Sequence, residues 1–298
     1  MEKARGKAVS IVLVLVLAAA LVAGCGSGDD AGEATAQGGD PAAVEAAEQD
    51  ALRSYERYLE AEAADLLDMV ELLENRVAVE RPASRVQAAY GAARVAYGHL
   101  LPAAYLFPEL DRRINGHAGE QPGGRLTGFH GIERTLYGEE TIEGLGPLSK
   151  QFVVDVRRLR REIASAELQP LPLAEAAERL TGNVAGRMMA GEEEPYARTD
   201  LADVSAGVEG AEKSFEAVKP LLADSDPALV KEIEGAFAEA YERLGEHGAP
   251  ARDTQGWDAG TFYVPYGALD RNEIQEIGEP LDALVRLFRE VPGQLPRS

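Results

Sequence analysis

Residues 50–78 read DALRSYERYLEAEAADLLDMVELLENRVA. Leu52, Tyr55, Leu59, Leu66, Val70, Leu73 and Val77 recur at steps of three, four or seven, which lines them along one stripe of a helix turning every ~3.6 residues. A strand would instead alternate at every second position, and this stretch does not. Working outward, the same period returns. A second helix is expected from just after Pro82 to about Leu101. Leu148, Phe152, Val156, Leu159 and Ile163 make a further stripe, as do Val204, Val208, Ala211, Phe215, Val218 and Leu222. Asp226-Pro227 reads as an N-cap and first-turn proline opening the next helix. The last stripe is Ile274, Ile277, Leu281, Leu284 and Phe288, with Pro280 expected to interrupt it. Only Thr261-Phe262-Tyr263-Val264 suggests a short extended piece. The expected fold class is all-α: two packed antiparallel bundles, about 41–165 and 172–292, divided at the turn-rich stretch Gln169–Leu173.

The N-terminal end carries a different pattern. Lys3, Arg5 and Lys7 precede an apolar run from Ala8 to Ala23, which is the form of a secretory signal rather than of a folded element. The run closes in Val22-Ala23-Gly24-Cys25, a bacterial lipobox, and the chain's single cysteine stands where the lipid would be attached. Residues 1–24 are thus expected to be a lipoprotein signal peptide, with Cys25 the lipidation site and anchor to the cell membrane. Residues 25–40 contain no bulky apolar side chain and read as a flexible tether. The folded domain is expected to span 41–298. The formal net charge of −21 repels nucleic acid and anionic lipid and gathers cations.

Chemistry must come from four histidines and the carboxylates. His99 has no acid three or four residues on and reads as a core or surface residue; His247 follows a helix end, where it meets the negative end of the dipole. His117 and His130 each have a glutamate three residues later, Glu120 and Glu133. The first pair lies in a loop continuing Gln121-Pro122-Gly123-Gly124, where nothing fixes both side chains on one face, so His117 is expected to contribute little. The second follows Thr127-Gly128 and reads as a capped helix, which projects His130 and Glu133 to one side. Imidazole nitrogen and carboxylate oxygen aimed at one point are half of a mixed site suited to iron, zinc or copper. The alternative is an ordinary helical His/Glu contact.

The stretch Leu126-Thr127-Gly128-Phe129-His130-Gly131-Ile132-Glu133-Arg134 resembles the G-x-H-x-x-E signature of the imelysin-like family, in particular its EfeO/EfeM-type iron-uptake lipoproteins. Glu109-Leu110-Asp111 with Ile114-Asn115 is similar to the acidic segment ahead of that signature. Gly191 to Leu201 resembles the family's G-E-E-D-x-Y-S-R-T-D-L segment, and Gly210-Ala211 with Val218-Lys219-Pro220-Leu221-Leu222 continues the likeness. The resemblance covers roughly Leu66 to Gly293. It implies a helical-bundle protein outside the cytoplasm, in the periplasm or on the outer face of the membrane. Such a protein binds iron, ferrous or ferric, and delivers it to a membrane iron permease, with a haem peroxidase of the same system as a further partner. By position it implies His130 and Glu133 as metal ligands, Asp111 as their acidic partner and Glu193 as a candidate from the second half, although Glu192, Glu193 and Glu194 also read as a solvated charge run.

Two departures stand out. The family's Y-E-R-I-E-P run on the second helix is here Tyr97-Gly98-His99-Leu100-Leu101-Pro102, without either glutamate. The short tether leaves no space for the cupredoxin domain of longer members, so the shorter EfeM-like form is the closer likeness. The zinc-peptidase spacing H-E-x-x-H does not occur, and Arg134 breaks the inverted H-x-x-E-H, so a binding protein is expected rather than an enzyme. The alternative is a lipoprotein binding an alginate-like polysaccharide, for which Arg157, Arg158, Arg160 and Arg161 would have to supply a basic patch.

Overall fold

The computed structural model describes residues 41–120, 122–250 and 261–296; the expected signal peptide, the tether and Cys25 lie outside the described residues. The opening stripe becomes the buried face of α1 (Pro41–Ala78), on which Tyr55, Leu59, Leu66, Val70, Leu73 and Val77 all point inward. After it come α2 (Ala83–Ala104), α3 (Pro108–Asn115), α4 (Gly128–Glu133), α5 (Leu145–Ser165), α6 (Pro170–Asn183), α7 (Asp200–Ser225), α8 (Pro227–His247), α9 (Arg271–Phe288) and the short α10 (Val291–Gln294). The fold class is all-α. The one extended piece expected, near Thr261, is β2 (Thr261–Tyr263), paired antiparallel with β1 (Gly248–Pro250) so that Gly248 faces Tyr263.

α1 lies against α2 and α5, while α8 and α9 pack on each other and α6 packs on α7 and α9. α7 joins these groups by lying against both α1 and α2. A helix enclosed from several sides should be apolar around its whole circumference. α2 meets that demand with buried Val86, Ala89, Tyr90, Ala93, Tyr97, Leu100 and Leu101, and its small residues let its neighbours approach closely. A Cβ on Gly98 would stand 2.5 Å from the Cβ of Ala206, and one on Gly210 would stand 2.8 Å from the carbonyl oxygen of Gly98. The α2–α7 crossing therefore leaves no volume for a side chain at 98, which accounts physically for the missing glutamate there: α7 occupies its place. Aromatic rings fill the layers between helices, with Phe129 edge-on to Phe152 and Phe215, Phe237 and Phe288 meeting one another at 5.9 to 6.1 Å.

Two expectations change. The stretch from Gln169 to Leu173 is the start of α6, because Pro170 and Pro172 fall in a first turn that needs no backbone donors. α9 runs on through Pro280, with Leu281, Leu284 and Phe288 buried beyond it. Asp226 caps α8 as expected, accepting a hydrogen bond from the Leu229 amide. No helix among the described residues is long and apolar enough to cross a membrane.

Candidate metal centre

The centre forms where the start of α4 is pressed onto the end of α3. Gly128 has a φ of 52°, and a Cβ on it would lie 2.0 Å from the Ile114 carbonyl oxygen, so only glycine allows the two backbones to touch. That contact brings the chain just after Ile114, with Asn115 and His117, beside His130. Thr127 does not cap α4; its hydroxyl donates to the Arg113 carbonyl, which ties the same two segments together. α4 is six residues long and passes into a π-helical turn, Arg134–Gly138. A second π-helical turn, Val184–Met188, ends α6 shortly before Glu193. Such turns recur at functional sites, where they re-aim side chains.

His130 and Glu133 are both buried and share one side of α4, with Nδ1 of His130 3.4 Å from Oε2 of Glu133. The other oxygen of Glu133 accepts from the amides of Tyr196 at 2.7 Å and Ala197 at 3.0 Å. These bonds fix the 191–199 segment against α4. Glu193 and Glu194 are 1% and 0% exposed, so the charge-run reading holds only for Glu192, which faces solvent. Glu193 points to the Nε2 side of His130: its Oε1 is 3.9 Å from that nitrogen, and its Oε2 is 3.2 Å from Nε2 of His117. The rings of His117 and His130 lie 3.9 Å apart at 32°. His117, read from sequence as a loop residue of no consequence, is thus part of the cluster.

Two groups of donors converge closely enough to hold an ion, His117 with His130 and Glu193, and His130 with Glu133 and Glu194, each with its ligand atoms within 4.8 Å of one another. Asp111 belongs to neither group. Its carboxylate accepts from the Tyr97 hydroxyl at 2.7 Å and lies 3.9 Å from Arg179, and burial pushes its pKa up.

Arg94, from α2, supplies the counter-charge. It meets Glu193 at 3.2 Å, Glu194 at 3.0 Å and Asp203 of α7 at 2.8 Å, and it also donates to Asn115. Asn115 in turn donates to Oε1 of Glu193 at 2.9 Å. Glu194 is further engaged by the Tyr90 hydroxyl, 2.7 and 2.8 Å from its two oxygens. These surroundings separate the carboxylates. Burial alone would raise Glu193, but the His117 bond and the nearby Arg94 and His130 outweigh it and hold its pKa well below the usual range. Burial dominates at Glu194 and Asp203, raising Glu194 well above normal and Asp203 to about 6 against the pull of Arg94. Burial also lowers the pKa of His130, which favours the neutral imidazole that a metal requires.

Arg94 and Asp203 were not singled out from the sequence, and Asn115 and Glu194 were named there only within longer segments, without a role in the site. The signal available for Arg94 was a single charge within the stretch Val86–Gly98 of α2, which otherwise holds Gln87 and apolar, tyrosine or glycine residues, since a charge on an enclosed helix must have buried partners. The basic run on α5 is partly engaged by acids, with Arg157 2.7 Å from Glu71 and Arg158 3.5 Å from Glu162.

The profile of the Imelysin family matches residues 51–271. The chain is 28% identical over 265 residues to the "Iron uptake system component EfeO" of Escherichia coli strain K12, covering 85% of this chain and 68% of that protein. The proteins of the same name from Shigella flexneri and from Escherichia coli O157:H7 are matched with the same identity and coverage.

Proposed function

Because the chain belongs to the Imelysin family, we propose that it is an extracytoplasmic iron-binding protein of an iron-uptake system, anchored through Cys25 and delivering its cation to a membrane permease. The observation that carries the reading is the convergence of two imidazoles and several carboxylates in a buried pocket of side chains around His130. Buried carboxylates and unprotonated histidines are expensive in a core unless a cation or a hydrogen-bond network compensates them. Arg94 offsets one charge, while Glu133, Glu193, Glu194, Asp200 and Asp203 are all buried nearby. A mixed nitrogen and oxygen donor set suits iron, and it also admits zinc and copper. The three relatives are all named as components of an iron uptake system, which favours iron over zinc and copper. The protein binds its cation as cargo; neither zinc-peptidase spacing occurs in its sequence. A haem peroxidase of the same system would be a further partner.

The test is metal analysis of the purified protein, followed by titration with ferrous, ferric, cupric and zinc ions. One tightly held iron per chain is expected, with His130→Ala lowering affinity at least ~10-fold while the helical signal stays unchanged. If none of the four ions is retained, or if His130→Ala binds like the parent and merely melts earlier, the reading is wrong.

A further inference from the structure

His130 has two sides, and the donors are divided between them. Glu133 stands 3.4 Å from Nδ1 of His130 and Glu193 stands 3.9 Å from Nε2 of His130, and each belongs to a different group of donors, Glu133 with Glu194 and Glu193 with His117. A neutral imidazole carries one proton and one lone pair, so only one nitrogen can ligate while the other donates. We infer that the ion is held on the Nε2 side, by His117, His130 and Glu193, and that Glu133 is a positioning residue that turns His130 toward it. The inference rests on the iron-binding reading above and names which donors serve it.

Both carboxylates of the Glu133 and Glu194 group are already engaged. Oε1 of Glu133 accepts two backbone amides, and Oε2 is the acceptor 3.4 Å from Nδ1 of His130. Both oxygens of Glu194 lie within 2.8 Å of the Tyr90 hydroxyl, and one lies 3.0 Å from Arg94. On the other side, Nε2 of His130 is buried and has no hydrogen-bond partner among the described residues. With Nδ1 donating to Glu133, the lone pair of His130 is on Nε2. A buried acceptor without a donor is a defect in a core and a requirement in a ligand.

Spacing agrees with this side. Bonds of ~2.0–2.2 Å to nitrogen and oxygen put neighbouring donors roughly 3 to 3.5 Å apart. Oε2 of Glu193 is 3.2 Å from Nε2 of His117 and its Oε1 is 3.9 Å from Nε2 of His130, and one ligand atom from each of the three residues lies within 4.8 Å of the others, so side-chain rotations would close the set around an ion. Arg94 and Asn115 hold Oε1 of Glu193, which leaves Oε2 as its more accessible oxygen. Two imidazoles and one carboxylate are the donor set of non-haem ferrous sites, whereas ferric iron favours more oxygen. His117 thereby supplies a donor in a chain whose second helix carries neither glutamate of the related run. A carboxylate that orients a ligating histidine through its far nitrogen is a recurrent partner of metal sites.

The experiment uses the full chain labelled with nitrogen-15 in its histidines and loaded with zinc as a diamagnetic stand-in. Long-range proton–nitrogen NMR reports which ring nitrogen of each histidine carries the metal, and ferrous titration gives affinity in parallel. The expected result is coordination by Nε2 of His130 and by one nitrogen of His117. His117→Ala should then weaken ferrous binding ~10-fold or more. Glu133→Ala should mix the tautomers of metal-free His130 and weaken binding, yet leave both histidines as ligands in the loaded protein. Coordination through Nδ1 of His130, with His117→Ala binding normally, would overturn the inference while leaving the iron-binding reading intact. No binding of either ion by the parent protein would overturn both.

Discussion

Arg94 is where the centre is most exposed to a single change. Among the described residues it is the buried cation facing Glu193, Glu194 and Asp203, and its own pKa is raised because those carboxylates outweigh the effect of burial. Removing one member of a buried charge network leaves the others uncompensated, at ~3–5 kcal/mol. Arg94→Met is therefore expected to lower unfolding free energy at neutral pH by about 3 kcal/mol, the raised pKa of Glu194 and Asp203 softening the loss by letting them take up protons. A urea unfolding curve within 1 kcal/mol of the parent, on the scale of an ordinary surface change, would show that the network does not depend on this arginine. At this scale the sequence was partly legible. His130 and Glu133 were readable because a spacing of three on one helix is a local property. His117 was not, because its neighbours come from α4 and from the loop before α7, and no spacing in the sequence encodes that approach. Glu193 was named through likeness alone, its burial being set by α2 and α4.

At the scale of elements, α1, α2 and α7 are fastened by a second histidine. His99 on α2 stands 2.8 Å from Glu62 of α1 and 2.9 Å from Glu209 of α7. Burial would lower its pKa, but the bonds to Glu209 and Glu62 prevail and raise it from 6.5 to about 9. A histidine with a raised folded-state pKa stabilises fully below its unfolded value, and the contribution fades as pH rises through the folded value. The melting temperature should therefore decline between pH 6.5 and pH 9 or slightly above. Because Glu209 is about half exposed, the loss should be on the order of 1–2 kcal/mol. His99→Gln should flatten this decline; an unchanged profile in that variant would remove His99 as its cause. The long helices were legible for the same reason as the stripe on α1: each buries a face that repeats locally. The six residues of α4 and the π-helical turns were not, since what terminates them is contact with α3 and with the 191–199 segment.

For the whole molecule, one apolar cluster runs from Tyr55 of α1 to Leu295 near the end of the described chain. Such a core does not need an ion to form, unlike small domains that fold only around a metal. Excess chelator should leave the helical circular-dichroism signal and the melting temperature of the metal-free protein intact; unfolding by chelator alone would contradict this. His117 is 24% exposed, whereas His130 and Glu193 are 4% and 1% exposed. It also sits on the connection between α3 and α4, while His130 belongs to a packed helix. If the ion is held as inferred, its residence time and its equilibrium affinity come under separate control. On the proposed function, an acceptor's ligand would displace His117 from the solvent side before His130 and Glu193 let go, so hand-over would proceed by exchange of one bond at a time without opening the bundle.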